Sequence, residues 1–163
     1  MTRVGLVSDT HGFWDDKLDA FLADVDELWH AGDIGSIELL DNLSKKRTTR
    51  AVFGNIDGGV TRLAAKPFLF FECEGVKVLI SHIGGYPNKY DRDYLKLIDE
   101  LHPTLAIAGH SHILKVMFDK KKNLLFMNPG AAGISGFHSV RTALRFTIDG
   151  GAVKDLEVAE WER

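Results

Sequence analysis

A single cysteine, Cys73, stands in a chain of 163 residues, so no disulfide can form within it. Its setting, Phe70-Phe71-Glu72-Cys73-Glu74-Gly75, reads as the end of a strand before a turn, where a small buried or edge residue is expected. No apolar run approaches the ~20 residues that a bilayer-spanning helix needs. The opening Met1-Thr2-Arg3-Val4-Gly5-Leu6 leads directly into a strand and has none of the architecture of a signal peptide. Charge of one sign is also scarce: 20 Lys and Arg stand against 23 Asp and Glu, a net charge of −3. That balance gives no reason to expect the basic face of a nucleic-acid binder. It still admits a phosphate substrate, because bound cations can reverse the local field of an acidic site. Linkers, low-complexity stretches and internal repeats are missing too. The expectation is a soluble, cytoplasmic protein folded as one domain over residues 1–163.

What is present is an alternation of strand and helix. Strands are expected at Arg3–Ser8, Glu27–His30 and Thr49–Phe53, and helices at Asp15–Ala23 and Ser36–Lys45, the latter with Ser36 as N-cap. Gly58-Gly59 breaks the chain before a short helical segment at Val60–Ala65. Phe68–Cys73 and Val76–Ser81 read as a hairpin turned by Glu74-Gly75. A helix over Asp91–Leu101 carries Tyr94, Leu95, Ile98 and Leu101 on one face and ends at Pro103. The remaining strands are Thr104–Ala108, Ile113–Asp119, Asn123–Met127, Thr142–Ile148 and Val153–Ala159. A β-α-β first half and a meander-rich second half suggest an α/β sandwich with mixed sheets.

The polar residues fall where these strands end. Asp9 and His11 follow the first strand, Asp33 the second, Asn55 the third, His82 the Val76–Ser81 strand, and His110 and His112 the Thr104–Ala108 strand. In open α/β sheets, the carboxyl ends of neighbouring parallel strands form the ligand crevice. Strands so arranged would bring together two carboxylates, one amide oxygen and four imidazoles. That donor set suits Mn, Fe or Zn better than Ca or Mg alone, since imidazole favours the former. Gly32, Gly54 and Gly109 each precede one of these residues and would let the backbone pass close to an ion or a phosphate. A pair of ions roughly 3.5–4 Å apart needs a bridging carboxylate, for which Asp33 is the natural candidate. Between such ions a water can lose its proton near neutral pH, giving a nucleophile without a catalytic serine or cysteine.

The runs Asp9-Thr10-His11, Gly32-Asp33, Gly54-Asn55-Ile56-Asp57, Ser81-His82 and Gly109-His110-Ser111-His112 resemble, in order, the motifs of the calcineurin-like metallophosphoesterase superfamily. Each run alone is weak, and the five in sequence are specific. The short chain and its Asn128-Pro129-Gly130 run look like the small branch that includes Vps29-like proteins. The resemblance implies a four-layer α-β-β-α sandwich of two mixed sheets flanked by helices. It implies one ion held by Asp9, His11, Asp33 and His112, and a second held by Asp33, Asn55, His82 and His110. It also implies a catalytic set of Asp33, Asn55, His82 and Asp57, with Asp57 organising its loop or orienting a ligand. The expected cofactor is two divalent ions, manganese first and Fe, Zn, Ni or Mg as alternatives. The expected activity is hydrolysis of a small or nucleotide-like phosphodiester by a hydroxide between the ions. The position where larger relatives carry a histidine is Ile56, which leaves the general acid unassigned.

Other residues have competing readings. His30 is expected to be a satisfied core histidine or to orient a ligand, His102 to end a helix, and His138 to border the cleft. Trp14 is divided evenly between packing and lining the substrate site, and Asn128–Gly133 between closing over the site and turning the chain. Phe68, Phe70 and Phe71 are expected to fill the core or a dimer face, and Lys120-Lys121-Lys122 to form a solvated hairpin tip. The expected partner is a small phosphorylated substrate, with no specific nucleic acid and no membrane, and a homodimer is left open. The competing function is a Vps29-like protein-binding scaffold with a vestigial metal site. A mononuclear hydrolase of other esters ranks last, because it leaves Asn55 and His82 without a role.

Overall fold

The computed structural model describes residues 1–163. The first half runs β1 (Thr2–Val7), α1 (Asp16–Phe21), β2 (Glu27–His30), α2 (Ile37–Lys46), β3 (Thr48–Ala51) and α3 (Gly59–Ala64). The second runs β4 (Phe68–Cys73), β5 (Val76–Ser81), β6 (Gly85–Tyr86), β7 (Lys89–Tyr90), α4 (Arg92–Leu101), β8 (Leu105–Ile107), β9 (Leu114–Asp119), β10 (Leu124–Pro129), β11 (Val140–Asp149) and β12 (Ala152–Glu162). One five-stranded sheet has the order β12-β11-β1-β2-β3 and the other β4-β5-β8-β10-β9. Each is mixed. β1, β2 and β3 are parallel in the first, while β5, β8 and β10 are parallel in the second. β11 pairs antiparallel with both β1 and β12 in the first sheet, as do β4 with β5 and β9 with β10 in the second.

Alternation along the strands builds the layers. Val4 and Leu6 of β1, Val78 and Ile80 of β5, and Leu105 and Ile107 of β8 face the space between the sheets. Trp29 fills the centre of that space, edge-on to Phe71 and Phe146, in pairs worth about 0.5–1.5 kcal/mol beyond their buried area. The opposite faces pack on helices. Val7 and Leu28 meet Leu18 of α1 and Leu39, Leu40 and Leu43 of α2. Leu79, Ala106 and Phe126 meet Tyr94 and Ile98 of α4. Three cores between four layers make the α-β-β-α sandwich. Cys73 is buried in the central one, and burial raises its thiol pKa.

The helix starts follow capping chemistry. Asp15, Ser36 and Asp91 accept hydrogen bonds from the backbone N–H groups of Leu18, Leu39 and Tyr94. His102 ends α4 in a left-handed conformation, as a helix-end residue. The apolar face of α4 differs in one member. Leu97 rather than Leu95 joins Tyr94, Ile98 and Leu101, which restores the i, i+3, i+4, i+7 spacing of a helix stripe. β6 and β7 form a two-residue hairpin that the sequence pattern does not signal, and β12 runs on to Glu162 beside β11. No helix is long and apolar enough to cross a membrane.

Candidate metal centre

The seven polar residues do meet, but not along one sheet. β1, β2 and β3 deliver Asp9, His11, Asp33 and Asn55 from the first sheet, and β5 and β8 deliver His82, His110 and His112 from the second. Ligand atoms of Asp9, His11 and His112 lie within 4.8 Å of one another, as do those of Asp33, His82 and His110. Asp33 Oδ2 stands between the groups, 3.5 Å from His11 Nε2 and 3.3 Å from His82 Nε2. Asn55 Oδ1 is 3.0 Å from His82 Nε2 and 3.1 Å from His110 Nδ1. Asp33 thus lies at the junction of the two groups.

The backbone is bent into place. Ten non-glycine residues have positive φ, and five of them are Asp9, His11, Asp33, His110 and His112. A left-handed L-residue costs roughly 1–2 kcal/mol, and Asp or His tolerates it better than a β-branched residue. Gly54 and Gly109 serve a different need, close approach. A Cβ on Gly54 would lie 2.1 Å from Asp33 Oδ1, and one on Gly109 2.1 Å from Ser8 Oγ and 3.1 Å from Asp9 Oδ2.

Hydrogen bonds around the cluster fix which atoms face inward. His82 Nδ1 lies 2.8 Å from the carbonyl of Ala31, which can only accept, so Nδ1 carries the proton. The lone pair on Nε2 then points at Asn55 Oδ1, Asp33 Oδ2 and, at 3.9 Å, Asp9 Oδ1, all acceptors. Lone pairs converging without a donor require a cation or an added proton. The His82 pKa reflects this: burial pushes it down, but the Asp33 and Asp9 carboxylates outweigh burial and raise it. Asp33 is held below the ordinary carboxylate range, because the neighbouring His82 and the Ile56 N–H together outweigh its burial. Two further buried atoms, Asp9 Oδ1 and His11 Nε2, have no hydrogen-bond partner at all. Buried polar atoms are almost always satisfied, so the residues fit a metal.

A ring of supports lies outside the ligands. Asp57 accepts from the N–H groups of Ile34 (3.0 Å), Gly54 (2.9 Å) and Gly35 (2.9 Å). Its carboxylate ties the loops after β2 and β3 together and belongs to neither ligand group. Among the four residues of the implied catalytic set it therefore has the loop-organising role. Asn128 donates to the Gly109 carbonyl and to Ser111 Oγ, and the N–H groups of Ala132 and Gly133 reach the Ser8 and Asp9 carbonyls. The Asn128–Gly133 run thus buttresses both ligand loops. Arg141, buried and paired bidentately with Asp15, also anchors this run through the Ala132 carbonyl. His138 does not stand free in the cleft. Its Nε2 donates to the Gly133 carbonyl at 2.8 Å, which leaves Nδ1 to accept from His112 Nδ1 at 3.2 Å. His112 Nε2 is thereby left with its lone pair facing Asp9 Oδ1 at 3.2 Å. Neither periodicity nor a motif marks this role for His138. Trp14 donates to Asp19 and packs against the α1–α2 core rather than reaching the ligands.

A cleft of about 610 Å³, lined by Arg3, Arg145, Phe146 and Asp155 among others, contains none of these ligands. A smaller groove contains Asn55 and His82 themselves.

The family model of the calcineurin-like phosphoesterase superfamily domain matches residues 2–151. The chain belongs to that superfamily. A probable metallophosphoesterase of Methanocaldococcus jannaschii is 31% identical over 137 residues, 78% of this chain and 67% of the relative. The fold is shared with a Streptococcus pneumoniae protein, a predicted phosphoesterase, at TM-score 0.68 and 21% identity over 99% of this chain and 98% of the other. It is shared equally with Entamoeba histolytica Vps29 in complex with zinc, at TM-score 0.73 and 17% identity over 98% of each chain.

Proposed function

We propose that this chain is a metal-dependent phosphohydrolase that cleaves phosphodiesters using two divalent ions, with manganese as the working cofactor. The observation that carries the reading is the set of inward lone pairs around Asp33, including the unpartnered Asp9 Oδ1 and His11 Nε2. Asp9, His11, Asp33 and His112 would hold one ion, and Asp33, Asn55, His82 and His110 the other. Ions held there would supply positive charge for the phosphoryl oxygens and would make a water more acidic. The protein's own part is to fix geometry. Ala31 sets the His82 tautomer, and the His138–Gly133 relay sets that of His112. Orienting contacts of this kind hold metal-binding histidines in register.

A side chain able to protonate the leaving group is missing from the G-N-x-D run, where Ile56 is exposed. His138 has both ring nitrogens engaged. The substrates favoured are therefore diesters whose leaving groups need little protonation, such as aryl or activated esters. Hydrolysis of bis(p-nitrophenyl) phosphate with Mn²⁺, and its loss with chelator, tests the activity. A kcat/KM that falls steeply as the leaving phenol becomes more basic supports the missing acid, and a flat series points to a hidden one.

A scaffold role in the manner of Vps29 is favoured by one feature. Ile56, Ile83 and Ile113 each follow a ligand residue and are 47%, 43% and 63% exposed, as a protein-docking rim would be. The completeness of both ligand groups favours the enzyme. No turnover by a protein loaded with two ions would reverse that order.

A further inference from the structure

The groove beside the second ligand group holds about 230 Å³. Asn55 and His82 are among its lining residues, so it adjoins the candidate metal centre. Phe53, Pro67 and Ile83 give it apolar walls, and no carboxylate lines it. Its one cationic side chain is Arg62, from the last turn of α3, whose guanidinium lies 4.2 Å from the centre of the Phe53 ring.

The other arginines define what is unusual about Arg62. Arg47, Arg50, Arg92, Arg141, Arg145 and Arg163 all direct their guanidinium groups at carbonyl or carboxylate oxygens of the protein. Arg3 shares its cleft with Asp155 and Glu157. Arg62 has neither a hydrogen-bond nor an ion-pair partner, and its groove holds no carboxylate to pair with it. Stacking on Phe53 orients a planar fork of donors while leaving those donors free. A guanidinium presented in this way suits two oxygens of a phosphate.

We propose that this groove is a subsite for a second phosphate, carried on the non-reacting arm of the substrate. The substrate class is then a nucleotide-like diester with two separated phosphate groups. One phosphate lies at the ligand cluster and the other on Arg62, while Ile83 and Pro67 contact the apolar part between them. This rests on the phosphohydrolase reading and narrows it.

Calorimetric titration of the Mn²⁺-loaded protein with adenosine 5′-monophosphate and adenosine 3′,5′-bisphosphate tests the subsite. The two phosphates of the latter are on separate sugar oxygens, so both ligands meet the metal through one phosphate. Wild type is expected to prefer the bisphosphate by about tenfold, the scale of one good charge-assisted contact. Arg62→Gln should erase that preference and Arg62→Lys should keep part of it. Arg92→Gln, an exposed arginine paired with Asp93, should leave it intact. Equal affinities in wild type, absence of binding by either nucleotide, a preference that survives Arg62→Gln, or an equal weakening of both ligands in that variant would each overturn the proposal. Turnover of bis(p-nitrophenyl) phosphate, which has no second phosphate, reports on the phosphohydrolase reading separately.

Discussion

Acid should weaken the metal-free protein through one buried histidine. His30 is fully buried at the end of β2. Its Nδ1 accepts from the Gly32 N–H at 3.1 Å, so the proton resides on Nε2, which faces Thr10 Oγ1 at 2.9 Å. Thr10 in turn donates to the Ile34 carbonyl at 2.8 Å. A second proton on Nδ1 would confront the Gly32 N–H inside the core. Burial is the main cause that brings the His30 pKa down to about 4, with Asp57 opposing it. The unfolded chain, with an ordinary histidine near 6.5, takes up its proton first. Stability from this group is therefore complete above pH 6.5 and is lost as the pH falls toward 4. The loss comes to about 3 kcal/mol, a large share of a typical total of 5–15 kcal/mol. His112, also lowered chiefly by burial, acts in the same direction. His82, raised by its carboxylates, acts above pH 6.5 and in the opposite sense. The contribution of His30 is isolated by comparing wild type with His30→Gln in urea unfolding at pH 4 to 8 with chelator present. The variant should be weaker at pH 7 by about 1–3 kcal/mol, because a buried hydrogen-bond partner changes. Its pH dependence should be flatter, so that the two curves approach one another near pH 4. Parallel curves through that window would refute the reasoning.

Metal titration should separate the ligands by position. Asp33→Ala should lower affinity at both ions, because Oδ2 stands between the two groups, whereas His112→Ala and His82→Ala should each empty one; calorimetric stoichiometry reads this, and equal two-site loss in all three would contradict the division. His138→Leu should weaken the ion held with His112 by about 10–100-fold and leave the other unchanged. Nitrogen NMR of the His112 ring should show the proton no longer fixed on Nδ1.

Most of the fold was legible because its signals are local. Val4, Leu6 and Val7 alternate between two cores, and the caps at Ser36 and Asp91 precede clear helical stripes. The misplaced Leu95 shows the limit: at a 3.6-residue period, Leu95 and Leu97 compete for one stripe, and the packing partner on β5 and β10 decides. The β6–β7 hairpin was hidden because two-residue strands carry no periodicity. In the site, the ligands themselves were legible from motif and strand end. Their supports were not. His138 and Asn128 act across 26 and 19 residues, respectively, through single hydrogen bonds, and nothing in their neighbouring sequence encodes that reach. The arrangement of ligands over two sheets was likewise invisible, since parallel strands look alike whether they share a sheet or face each other.

That division has a mechanical result. Asp9, His11, Asp33 and Asn55 ride on one sheet, while His82, His110 and His112 ride on the other, so any cation shared among them acts as a rivet through the seam. Removing it should free the two halves to hinge apart at that rim while Trp29 keeps the middle closed. Occupancy would then stiffen this end of the molecule, and resistance to heat would climb with the concentration of free ion.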